Sequence, residues 1–182
     1  MKKIKFSFIA LSISVLVACS TGLMPVISGV PKELHYQQRT YQLQAQQDLG
    51  TIARFVYLTE NEQLNNWQSA LELLLDPNVL TQSLEQRLAL RNRVYQNTGV
   101  RNANLYLENN SLWGVIIYPP TEKHQDWQID VLQGRNVQNC GFMQYQFSRK
   151  FPASENLAQL TDSIAPQELA RLKNNHWKWN CE

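Results

Sequence analysis

Long apolar runs are scarce in this chain of 182 residues. The longest, Phe6 to Ala18, holds about a dozen uncharged residues, short of the ~20 that a membrane-spanning helix needs. Histidine and cysteine number only 3 each. His35, His124 and His176 lie far apart, and there is no His-Glu-x-x-His, paired Cys-x-x-Cys, Gly-x-Ser-x-Gly or phosphate-cradling glycine loop. No metal site, no cofactor and no catalytic residue is therefore expected. With 7 glycines, 7 prolines and 18% charged residues, collagen-like, low-complexity and charge-driven disordered chains are excluded. Internal repeats and heptads are absent too, so one domain of ordinary size is expected.

The first eighteen residues read as an export signal. Lys2, Lys3 and Lys5 form a cationic start, and the apolar stretch after them is too short for an anchor helix. The junction Leu16-Val17-Ala18-Cys19 resembles the lipobox of bacterial lipoproteins. That resemblance implies cleavage before Cys19, diacylglycerol on its thiol and an acyl chain such as palmitate on its amine. Ser20 in place of aspartate implies, by the same likeness, sorting to the outer membrane with the domain facing the periplasm. The membrane partner is then reached through acyl chains on Cys19, each buried methylene contributing about 0.8 kcal/mol.

Removing the signal and its three lysines from 17 basic and 15 acidic groups leaves 164 residues with 14 basic against 15 acidic, a net −1. A nearly neutral mature protein gives no support to a nucleic-acid partner, because phosphate binding draws on excess Lys and Arg. The chain therefore divides into a signal peptide over 1–18, a lipidated cysteine and flexible tether over 19–32, and a single domain over 33–182.

In an oxidising compartment Cys140 and Cys181 are expected to pair, closing a 41-residue loop and stabilising the fold by roughly 4 kcal/mol. The competing role for Cys140 is nucleophilic. Asn139-Cys140-Gly141-Phe142 is loosely similar to the nucleophile segment of NlpC-type cell-wall peptidases, with His176 as base and Asn180 to orient it. A cell-wall-active thiol hydrolase is thus the alternative function. The Asp-Cys-Ser-Gly pattern of that family is broken here, and Cys140 falls within a strand-like stretch.

Period-2 alternation predicts strands over 34–45, 51–58, 103–108, 112–118, 126–133 and 142–151. Leu64, Trp67, Leu71 and Leu74 recur at helical spacing after a Thr59/Glu62 capping signal, which predicts a helix ending at Asp76-Pro77. A second helix is expected over about 81–96, and further helices near Ser154 and Pro166. Arg87, Arg91 and Arg93 are expected on a solvated helix surface, and Asp126 and Asp130 on the wet side of their strand. Together these features predict an α+β fold, an antiparallel β-sheet with helices packed on one face. The run Phe55 to Trp67, a strand, an acidic loop and an Asn-Trp pair opening a helix, resembles exported proteobacterial proteins of Mog1/PsbP-like fold. That likeness implies a non-catalytic binding or assembly accessory of the cell envelope with an envelope protein as possible partner.

Overall fold

A computed structural model describes residues 30–179. The signal peptide, Cys19, Asn180 and Cys181 lie outside them. Eight strands form one antiparallel sheet bent into a half-barrel: β1 (Glu33–Tyr36), β2 (Arg39–Asp48), β3 (Ala53–Leu58), β4 (Ser69–Asp76), β5 (Asn102–Glu108), β6 (Ser111–Tyr118), β7 (Trp127–Val137) and β8 (Gly141–Phe151). Their order is β1-β2-β3-β4-β8-β7-β6-β5. Two four-stranded meanders thus meet where β4 pairs with β8. Helix α1 (Leu84–Asn97) carries the chain from the centre of the sheet to its far edge. At the other end a short α2 (Leu157–Gln159) passes through a π-helical turn, Leu160–Ile164, into α3 (Ala165–Lys173).

The expected fold class, α+β with helices packed on one face, is corrected to a mainly β architecture with α1 on one face and the α2–α3 segment on the other. Segment 69–76 is a strand. Leu71, Leu73 and Leu75 join the larger core on one face, while Leu74 packs into the smaller cluster on the other. With both faces covered the alternation disappears, and a leucine-rich run mimics a helical stripe. The Thr59/Glu62 signal is used to close a loop. The Glu62 carboxylate accepts hydrogen bonds from Thr59 Oγ1 (2.6 Å) and from the backbone N–H groups of Gln68 (2.8 Å) and Ser69 (2.9 Å). Trp67 therefore opens no helix, and the element on which the Mog1/PsbP likeness rested is missing.

The larger core lies under α3 and the C-terminal segment. Trp177 stacks between Tyr145, at 4.4 Å, and Tyr36, at 5.7 Å, so a residue near the end of the described chain locks β1 to β8. The Tyr145 hydroxyl donates to the Lys178 carbonyl (2.7 Å), holding the segment down. Beside them Glu168, 1% exposed, accepts from Gln37 Nε2 (2.7 Å), Arg149 Nη1 (2.9 Å) and Arg171 Nη1 (3.0 Å). One carboxylate thus ties the β1–β2 turn, β8 and α3 together. Charge-assisted bonds contribute about 1.5–3 kcal/mol, so Glu168→Gln should lower unfolding stability by about 2 kcal/mol because two arginines lose their counter-charge while the shape is kept. A urea midpoint unchanged by the substitution would contradict this assignment.

The opposite face carries α1. Its N-terminus is capped by Ser83, whose Oγ accepts from Gln86 N–H while Gln86 Oε1 accepts from Ser83 N–H. Arg87, expected on a solvated surface, is 6% exposed. Its guanidinium donates to Asp76 (2.7 Å) and Asn78 (2.7 Å) and lies 4.2 Å over the Phe142 ring. Phe142 reaches this position because Gly134 beside it has no side chain, and a Cβ there would fall 2.3 Å from the ring.

Candidate functional site

Residues 42, 54, 56, 70, 72, 118, 128, 130, 146 and 148 all project to the α1 face, as the strand registers require. α1 covers only part of that face. Beyond its C-terminal end a groove of about 840 Å³ crosses six adjacent strands, β2 to β6 through the central β4–β8 pair. The loop held by Glu62 forms one wall with Leu64 and Trp67, and the segment from Pro119 to Asp126, with His124, forms another. Ligand pockets commonly measure 300–1,000 Å³ and pair apolar walls with a few convergent polar groups. This groove has both.

Its floor is chemically uneven. Near β3 and β4, Arg54 and Glu72 form an ion pair, with Arg54 Nε donating at 2.6 Å. Lys150 lies 4.2 Å over the Trp67 ring. Near β6 and β7 stands Asp130, only 4% exposed and, among the described residues, without a cationic partner in contact. Oδ1 accepts from Gln128 Nε2 at 2.8 Å and Oδ2 from Gln146 Nε2 at 3.0 Å. Burial drives the Asp130 carboxyl up from 3.8 to about 6, despite the hydrogen bonds from Gln128 and Ser148 that oppose the rise. Burial likewise raises the Tyr118 phenol, with Asp130 adding to the effect.

Counter-charge reaches Asp130 through amides. Arg91 donates to Gln144 Oε1, Gln144 Nε2 to Gln146 Oε1 (3.5 Å) and Gln146 Nε2 to Asp130. Every N–H in this chain points toward the carboxylate, so a guanidinium under α1 polarises a relay ending in the groove. Arg91 therefore serves an internal network, while Arg93 is exposed. Asp130, expected on a wet strand side, is instead buried where α1, β6 and the β7–β8 pair converge. In the sequence it stands beside Asp126 with nothing in its residue type to set it apart. The usable signal was its place at the middle of a long strand with apolar neighbours on both sides.

Cys140 lies in the tight β7–β8 turn, between Asn139 at φ 63° and Gly141 at φ 82°, and outside the strand stretch expected for it. It is disulfide-bonded, and its partner lies outside the described residues. A sulfur so engaged has no thiolate to offer. His176 lines a separate hollow with Trp113, Trp177 and Trp179. A third hollow, of about 440 Å³ beside α1, is lined largely by apolar side chains such as Val79, Leu80 and Leu90. The hollow at His176 is polar as well, with Lys173 paired to Glu108 and Arg135 donating to Ser111, but the six-strand groove is the larger and holds the buried Asp130.

An antiparallel half-barrel with a polar groove on one face defines the class of architecture. A protein-family model matches residues 28–177. A protein of Haemophilus influenzae (strain ATCC 51907 / DSM 11121 / KW20 / Rd), described as an uncharacterized protein, is 38% identical over 190 residues, covering 96% of this chain and 97% of that protein. The chain belongs to this family. No solved structure matches it.

Proposed function

We propose that this protein is a non-catalytic lipoprotein of the outer membrane, anchored by acyl chains on Cys19 and facing the periplasm, that holds another envelope component in the six-strand groove. The observation carrying this reading is the groove itself: an open cavity of about 840 Å³ whose floor is a rigid sheet and whose polar groups converge. The disulfide at Cys140 supports an exported setting, since such bonds persist in oxidising compartments. Residues 19–32, with no acidic residue and a single lysine at position 32, suit a tether between an acylated cysteine and β1.

Photo-crosslinkers placed at Gln128 and Trp67 in the native envelope test the groove. One recurrent adduct from these positions, missing from the exposed positions Arg93 and Asp162, is the expected result. Adducts of equal yield at all four would overturn it. Anchoring is read separately: Cys19→Ala should abolish palmitate labelling and leave uncut precursor, whereas normal processing of that variant would defeat the lipoprotein assignment.

A further inference from the structure

We infer that the β6–β7 end of the groove receives a primary ammonium on an alkyl stem, the chemistry of a lysyl side chain or a free aliphatic amine, with Asp130 as its counter-ion. The inference rests on the groove being the binding surface and names what it binds. A carboxylate offers about four acceptor positions, and Asp130 has given one on each oxygen to a glutamine amide and a further one to Ser148. One position remains for a donor arriving from the groove. Tyr118 and Gln128 are directly paired across β6 and β7, and Asp130 follows two residues on along the same face. Cross-strand and i, i+2 neighbours on one face stand about 5–7 Å apart. The Tyr118 hydroxyl, Gln128 Oε1 and the Asp130 carboxylate therefore offer three acceptors to a group with three donors.

The balance of charge points the same way. Arg54 is neutralised by Glu72 and Lys150 is held over Trp67, so the cations of the groove are engaged away from Asp130. Tyr95, Tyr118 and Glu72 face Asp130 from α1, β6 and β4, and among these groups none is cationic; Arg54 acts on it from β3 at longer range, and Arg91 only through the amide relay. Toward β2 and β3, Ala45, Val56 and Leu64 line the groove beside Gln47 and the closed Arg54–Glu72 pair. A charged head at Asp130 and a hydrocarbon stem laid along these apolar side chains match this lining.

Calorimetric titration of the full chain, purified in detergent, tests the inference with three probes: n-pentylamine, Nα-acetyl-lysine N-methylamide and the neutral 1-pentanol. Both amines should bind at least tenfold tighter than the alcohol. Tighter binding of the lysine derivative identifies a peptide side chain as the source, and tighter binding of pentylamine a free amine. Asp130→Asn should erase the preference, and Tyr118→Phe, which keeps the ring, should reduce it several-fold. Equal binding of amine and alcohol, or a preference surviving in Asp130→Asn, overturns the inference. If the groove still crosslinks to an envelope component under either result, the ammonium assignment fails while the binding surface stands.

Discussion

Asp130→Asn should raise the unfolding free energy by about 3 kcal/mol at pH 8 and by almost nothing at pH 4. The folded carboxyl titrates near 6 against 3.8 in the unfolded chain because burial disfavours its charge. Each unit of that difference corresponds to about 1.4 kcal/mol. A raised carboxyl makes the folded state hold its proton more tightly, so the wild type loses stability from this group as pH climbs from about 4 to 6, and the loss is complete above that. Asparagine removes the ionisation. Its carbonyl can accept from Gln146, and the Gln128 amide, which no relay pins, can turn to accept from the new NH2 group. The cavity stays filled and every donor finds a partner. Thermal melts at the two pH values check this: a gain of similar size at pH 4, or a loss at pH 8, would show that ionisation of Asp130 is not the cause. Coupled to abolished amine preference, the gain would mark Asp130 as a charge kept at the expense of stability, as binding sites commonly require.

Strands that alternate apolar with polar residues, or that turn signals bound, were legible in the sequence, and β4 was not. Thr51 to Leu58 and Trp127 to Gln133 alternate because one side carries the core and the other polar groups, partly open in β3 and enclosed at Asp130 in β7, and β3, β6, β7 and β8 fall close to their expected places. β4 lies at the centre of the sheet, where two faces demand leucine, and its period vanishes. The same blindness hid the layout of the helices. Segregation to one face was inferred from strands having a wet side, yet the polar residues Gln144, Gln146 and Asp130 face one another and α1 across a network that no single strand displays. Position within a hydrogen-bonded ladder, set by pairing between segments far apart in sequence, decides whether a polar residue is solvated or enclosed. The hairpin β1–β2 looks like one strand in the sequence because its turn, Gln37–Gln38, carries no glycine or asparagine, although both residues take positive φ (50° and 60°).

Breaking the disulfide at Cys140 should cost more than any other change considered, by roughly 4 kcal/mol for a 41-residue loop closed with Cys181 by chain entropy. Cys181 as the partner is our proposal, and two contacts support it. Trp179, two residues before it, meets the Tyr145 ring edge-on at 5.2 Å and lies 4.8 Å from the Arg135 guanidinium. Arg135 faces Met143 at the β7–β8 end whose turn contains Cys140, and Cys140 packs against the same core as Trp179. The bridge would thus hold Trp177 between Tyr36 and Tyr145, so reduction should loosen β1 as well as the terminus. Cys140→Ser and Cys181→Ser should be equally destabilised, and the double variant no worse than either, because each removes the same cross-link. Non-reducing peptide mapping should yield one peptide joining the two cysteines. A bridge from Cys140 to any other thiol, or unequal losses in the single variants, would reject the pairing. Greater hydrogen exchange across Leu34 to Tyr36 in the reduced protein, with β6 and β7 unchanged, is the further result expected if the cross-link acts through Trp177.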